Sequence, residues 1–202
     1  MPPAADVLPG DFAVLPISGG VGFGIEVGQW LLAVIHGWPR AKIRKMMPYD
    51  HAEIYVGQPD ADGPHGYTIG AYPGGAAKKP LPCPPAELPG AIWSSGLIDL
   101  TPAQREGITG WATAHIGTPY SFIDYLAIAA HGLRLPVPGL RTFIKSSRHM
   151  ICSQLTDADY TANGVHLYSD GRWSGYVDPL MLADLLLRLQ AAAESAPDAE
   201  AA

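Results

Sequence analysis

His51-Ala52-Glu53-Ile54-Tyr55-Val56-Gly57 is the stretch on which the fold turns. Its β-branched and aromatic residues, bounded by a turn-rich segment, mark a strand. A polar turn from Pro59 to Gly66 follows, and Tyr67-Thr68-Ile69-Gly70-Ala71-Tyr72 reads as the hairpin partner. Upstream, Leu8-Pro9-Gly10-Asp11 is a turn signal ahead of a short apolar strand, Phe12 to Leu15. Downstream, Pro73 to Gly90 is rich in Pro and Gly and reads as a loop. Ala91 to Leu100 has strand character in Ile92, Trp93 and Leu97 to Leu100.

The other long patterns are helical. Gly24 to His36 carries an apolar face (Ile25, Trp30, Leu31, Val34, Ile35) and stops at Gly37, with Pro39 beyond. A basic run follows, Arg40, Lys42, Arg44 and Lys45, which reads as a solvated surface segment or as a clamp for an anionic substrate or partner. Thr101-Pro102 supplies an N-cap and a first-position proline for a helix to about Ile116, closed by Gly117-Thr118-Pro119. Tyr120 to Leu133 is a second, mostly apolar helical stretch, broken by Pro136-Val137-Pro138-Gly139. Near Met150 another helix begins, directs Ile151, Leu155, Ala158 and Ala162 towards a core, and stops at Gly164. Asp178-Pro179 starts a last helix running to about Ala193. The expected class is α+β: a small antiparallel β-sheet packed against helices in a single domain, residues 1–194, with a disordered acidic tail at 195–202.

Composition narrows the function. The chain has 202 residues, 48% apolar and 16% charged, the balance of a globular domain. Lys and Arg total 13 against 19 Asp and Glu, a net charge of −6, which argues against a nucleic-acid partner. Met1 to Asp6 has neither positive charge nor an apolar run, so no secretory signal is expected. Phe23 to Ile35, with Glu26 and Gln29, is too short and polar to span a bilayer, and Phe122 to Ala130 is interrupted by Asp124. The expected location is cytoplasmic, or delivery by a phage particle. The glycines at 19, 20, 22 and 24 lack the Gly-Lys-Ser/Thr of a phosphate loop. Seven histidines include no His-x-x-x-His pair and there is no Cys-x-x-Cys, so neither metal nor cofactor is expected. Asp124 and Asp157 have no obvious partner carboxylate for glycoside hydrolysis.

Two cysteines cannot build a disulfide framework, but a lone thiol in a reducing compartment can be a nucleophile. Cys83 sits between Pro82 and Pro84 and reads as incidental. Cys152 falls in the first turn of a predicted helix, where backbone N–H groups and the dipole favour a thiolate. His51 opens a strand, a rigid platform for an imidazole base. By residue type alone, Cys152 reads first as a small buried hydrophobe and only second as a nucleophile.

The neighbouring residues add a resemblance. Asp50 to Gly57 resembles the His strand of the NlpC/P60 superfamily of papain-like cysteine hydrolases. Ile151-Cys152-Ser153-Gln154-Leu155, with Tyr160 and Gly164 following, resembles that superfamily's Cys helix. His before Cys is the order of its circularly permuted branch, the YiiX-like and lecithin:retinol acyltransferase-like proteins. Gly10-Asp11 resembles the branch's opening strand, and Gly117-Thr118-Pro119-Tyr120 its Gly-x-x-Tyr turn. The resemblance spans residues 8 to 185. It implies a circularly permuted papain-like fold, Cys152 as nucleophile, His51 as general base, and backbone N–H groups at the helix start as an oxyanion hole. It also puts Tyr120 near the site, supporting thiol or oxyanion, where the bare residue reads as a core aromatic.

One position departs from the pattern. The family's polar residue that orients the imidazole falls on or near Gly70, which has no side chain. A backbone carbonyl, Thr68 or Glu53 could replace it, since positions 51 and 53 share one face of a strand. Glu53 reads otherwise as a solvated strand charge. The expected function is a thiol-dependent hydrolase that cleaves an amide, including cell-wall peptide, or an ester through an acyl-enzyme. Gly70 favours a rival, a non-catalytic binding or assembly module on the same scaffold. A third reading, a lipid acyltransferase or thioesterase, would use Phe23 to Ile35 for peripheral membrane contact.

Overall fold

The structure is a computed structural model that describes residues 6–16, 30, 33–34, 37–120 and 150–195. Five antiparallel strands form one sheet: β1 (Phe12–Leu15), β2 (His51–Gly57), β3 (Tyr67–Tyr72), β4 (Gly75–Pro80) and β5 (Ile92–Trp93). Their order is β4-β3-β2-β1-β5. Four α-helices have defined bounds: α1 (Arg40–Met46), α2 (Pro102–Ala114), α3 (Cys152–Ala162) and α4 (Pro179–Ser195). The class is α+β, as the periodicities predict. Residues 121–133, Asp124 among them, and most of the Gly24–His36 stretch lie outside the described residues.

Local signals account for most element ends. Thr101 and Gln104 form a reciprocal capping box at α2: Gln104 N donates to Thr101 Oγ1 at 3.3 Å, and Thr101 N donates to Gln104 Oε1 at 2.9 Å. Asp178 Oδ1 accepts from Met181 N at 2.8 Å and caps α4 ahead of Pro179. Gly164, with φ +75°, closes α3 through Gly164 N to Thr161 O and Val165 N to Tyr160 O. That pairing is a Schellman motif, and Gly37 ends the helical turn at Ala33 and Val34 in the same way.

Three local expectations are corrected. Residues 75–80, read as loop, form β4. Gly, Ala and Lys have little strand preference, but the turn at Pro73-Gly74 folds them back onto β3, with pairs from Tyr72↔Gly75 to Tyr67↔Pro80. Lys78, Lys79 and Pro80 then blunt the sheet edge. Leu97 to Leu100 is not strand: Leu97 N and Ile98 N both donate to Ser94 O, curling the chain after β5. The basic run, read as a solvated segment or a clamp, forms α1, with Arg40, Arg44 and Lys45 exposed and Ile43 and Met46 buried. α4 also continues to Ser195, the first residue of the expected tail.

The core lies between one sheet face and the helices. Phe12 and Val14 of β1, Ala52, Ile54 and Val56 of β2, and Ile69 and Ala71 of β3 alternate towards it. They meet Ile108 and Ala112 of α2, Leu155 and Tyr160 of α3, and Leu180, Leu182 and Leu186 of α4. Burial of each large aliphatic side chain contributes about 1.5–3 kcal/mol. Tyr160 meets Phe12 edge-on, ring centroids 5.3 Å apart, and its hydroxyl donates to Gly10 O at 2.6 Å. Arg105 of α2 binds Pro9 O and the buried Asp11 carboxylate, both at 3.0 Å. Gly10 must lack a side chain here: φ is +94° and a Cβ would sit 3.1 Å from Arg105 Cα. The Gly10-Asp11 pair is thus a structural tie between the chain's start, α2 and α3.

Candidate active site

β2 begins with His51, so its imidazole is fixed by the sheet, with Leu15 of β1 opposite in register. Two residues on, Glu53 shares its face and pairs with Gly70 of β3. Thr68 and Tyr72 flank Gly70 at i±2 and turn to the same side. Both hydroxyls donate to Glu53: Thr68 Oγ1 to Oε2 and Tyr72 Oη to Oε1. His51 Nε2 lies 3.1 Å from Glu53 Oε1 and has no aligned hydrogen-bond partner among the described residues, so the contact is an ion pair. The Tyr72 ring tilts over the imidazole, centroids 4.7 Å apart.

Gly70 makes this arrangement possible. A Cβ there would lie 2.9 Å from both Glu53 Cγ and His51 Nε2, and 3.2 Å from Ala52 O. The side chain missing from β3 is the space that Glu53 occupies. Glu53 is 8% exposed, so the reading of it as a solvated strand charge is corrected. Its pairing with a glycine, between two hydroxyl-bearing neighbours, is the reason: the carboxylate folds over β3 instead of reaching into solvent.

The thiol comes from the other direction. α3 starts at Cys152 and packs against β2 and β3. Cys152 is fully buried and within hydrogen-bonding reach of His51. The helix start is bolted in place. Ile151 N donates to Gln154 Oε1 at 3.1 Å, Gln154 Nε2 to Gly175 O at 2.9 Å, and Ser153 Oγ to Val177 O at 2.8 Å. Leu155 N to Ile151 O is the first helical bond. The N–H groups of residues 152–154 therefore have no acceptor within the helix, the arrangement that binds a developing oxyanion.

Electrostatics couple the three groups. Burial works against a charged His51, but the Cys152 thiol and then Glu53 outweigh it and raise its pKa to about 10. Burial likewise works against ionised Glu53, yet His51 and the Thr68 and Tyr72 hydroxyls lower its pKa to about 2. Burial and the Glu53 charge push the Tyr72 phenol up. The arrangement favours a protonated His51 between the Cys152 sulfur and the Glu53 carboxylate.

Of the four residues expected at the site, His51, Glu53 and Cys152 come together. Tyr120 is half-buried against the core, one residue after Pro119, whose carbonyl accepts from Met150 N at 3.1 Å. Its turn is also tied to β4, through Gly117 N to Ala76 O at 2.7 Å and Ala76 N to Thr118 O at 2.8 Å. Thr68 and Tyr72, which touch Glu53, were not legible as a network from sequence; a glycine inside a strand was the available signal. Cys83 is half-buried, and both cysteines are free. Asp157, expected on a helix without a partner, is buried and is influenced by Ser174, Arg172 and His166. It lines a cavity of about 280 Å³ with Tyr168, Arg172 and Trp173. At five residues from Cys152, Asp157 is on the far side of α3. No group of three or more His, Cys, Asp or Glu among the described residues could hold a metal, and no described helix is long and apolar enough to cross a membrane.

No protein-family model matches the chain, and no curated protein matches it in sequence.

Proposed function

We propose that this chain is a thiol-dependent hydrolase with a circularly permuted papain-like fold of the NlpC/P60 type, acting on an amide, including peptide and cell-wall peptide, or on an ester. The observation that carries the reading is the line Cys152–His51–Glu53: a thiol at a helix start, an imidazole in reach, and a carboxylate at that imidazole's Nε2. The proton that His51 holds is the one given up by Cys152, and Sγ attacks the substrate carbonyl carbon as a thiolate. The N–H groups at the start of α3 donate to the oxyanion. The C–N or C–O bond breaks as His51 returns its proton to the leaving amine or alcohol. Water, deprotonated by His51, then attacks the thioester, the C–S bond breaks, and Cys152 regains its proton. Glu53 holds the ring and stabilises the imidazolium. Gly70 favoured a non-catalytic module because it left no orienting group; the Glu53 carboxylate 3.1 Å from His51 Nε2 supports the enzyme reading instead.

Both reacting groups are enclosed, Cys152 at 0% and His51 at 2% exposure, so attack requires a path to Sγ to open. Iodoacetamide labelling of Cys152 measures reactivity and access together. At neutral pH, in a Cys83→Ala background, the expected rate is more than tenfold that of His51→Ala. Equal rates, or a thiol inert in the folded chain, would sink the enzyme reading. The pH dependence has a definite sign. The raised His51 pKa stabilises the fold fully below its ordinary value of 6.5, and this is lost as pH rises through about 10. The lowered Glu53 pKa stabilises it fully above 4.5, and this is lost as pH falls through about 2. The gap in melting temperature between the native chain and His51→Ala should thus be widest near pH 5–6 and close on the alkaline side.

A further inference from the structure

From position 27 to position 49 the chain carries Arg40, Lys42, Arg44 and Lys45 and no acid, in a protein of net charge −6. Folding sorts these cations. Lys42 turns to α4, where it binds Asp184 Oδ1 at 2.8 Å, and its ammonium lies 3.9 Å from the Trp38 ring centre. Arg40, Arg44 and Lys45 are exposed and make no ion pair among the described residues. Ile43 and Met46 anchor the opposite side of α1 in the core. Immediately before α1, the helical turn closed by Gly37 buries Ala33 but leaves Trp30 52% and Val34 46% exposed.

Exposed cations that closely follow a half-exposed indole and an exposed valine along the chain match one environment well. At a bilayer surface, an indole sits at headgroup depth while basic side chains meet anionic headgroups. We propose that Trp30, Val34, Arg40, Arg44 and Lys45 together form a docking surface for an anionic lipid bilayer. A second copy of the chain would set these cations against their own kind. A nucleic acid offers the indole a base to stack on but gives the exposed valine no apolar interior to enter. The proposal is independent of the chemistry assigned to Cys152.

Flotation of the full chain with vesicles tests it, using phosphatidylcholine alone and phosphatidylcholine with a quarter phosphatidylglycerol. The chain should float with the anionic vesicles at low salt, stay behind with neutral ones, and be released by about 0.5 M salt as the Debye length shrinks. At about fivefold per cation lost, Arg40→Glu/Arg44→Glu/Lys45→Glu should weaken binding at least about a hundredfold, since each reversal also adds repulsion. Trp30→Ala should weaken it by a smaller factor. Arg44→Glu alone, at an exposed position, guards against misfolding, and the salt response of the native chain needs no variant. No binding to anionic vesicles, equal binding to neutral ones, or binding unchanged by the triple reversal would each overturn the proposal. Retention of a single-stranded oligonucleotide in place of vesicles would do the same and give the face to nucleic acid.

Discussion

The two sides of the candidate site are built by opposite means. On the sheet, His51, Glu53, Thr68 and Tyr72 hold one another through side chains across two paired strands. At the start of α3, Cys152 is placed by its neighbours' anchors to main chain: Gln154 to Ile151 N and Gly175 O, Ser153 to Val177 O. A side-chain network sets protonation, because each member shifts its neighbour's charge. Main-chain anchors set position and carry no titrating group. Damage to the sheet side should therefore alter pH behaviour, and damage to the helix side should alter rate and stability with the pH profile in place.

The largest effect should come from Gly70→Val. Its Cβ would meet Glu53 Cγ and His51 Nε2 at 2.9 Å and the rigid Ala52 carbonyl at 3.2 Å. Glu53 has to leave, so Cys152 labelling should fall to the level of His51→Ala. Overpacking should cost about 1–3 kcal/mol of stability, read by thermal melting. Native labelling in Gly70→Val would mean that Glu53 does not need this space, and the contrast between the two sides would lose its first half.

Gln154→Ala is the matching change on the helix. It removes the acceptor for Ile151 N and the donor to Gly175 O. A lost helix cap costs about 1–2 kcal/mol, and labelling should slow by the same factor at every pH. A displaced pH profile would show that the anchors also tune charge.

Legibility in the sequence divides along similar lines. The β2–β3 hairpin, the Thr101 box, the Asp178 cap and the stops at Gly37 and Gly164 rest on local chemistry, and each could be read from a few adjacent residues. β4 could not, because Gly75-Ala76-Ala77 becomes strand only when β3 offers a ladder. At the site, His51 and Cys152 stood out by residue type, and Glu53 by its strand parity. Its burial, and the roles of Thr68 and Tyr72, depend on the register Glu53↔Gly70, which no local pattern encodes. Gly70 read as a missing group because a sequence shows absent atoms without showing what fills their place.

Tyr72→Phe is the smallest and most selective change. The ring that lies 4.7 Å from His51 stays, as does the surface under Lys79, whose ammonium is 3.2 Å from the ring centre. Only the hydroxyl that donates to Glu53 goes. One hydrogen bond is worth about 1 kcal/mol net, so labelling near neutral pH should stay within about tenfold of the native chain. The acid side should change more. With one donor fewer, the Glu53 carboxylate is held down less firmly, and its pKa should rise from about 2 towards the ordinary 4.5. Its contribution, present at higher pH and lost as pH falls, should then disappear earlier on acidification. Labelling rates on the acid side of neutrality should fall off at a higher pH in Tyr72→Phe than in the native chain, with the neutral-pH rates close together. An unmoved acid limb would reduce the charge-setting network to Thr68 and His51 and leave Tyr72 as packing for the imidazole alone.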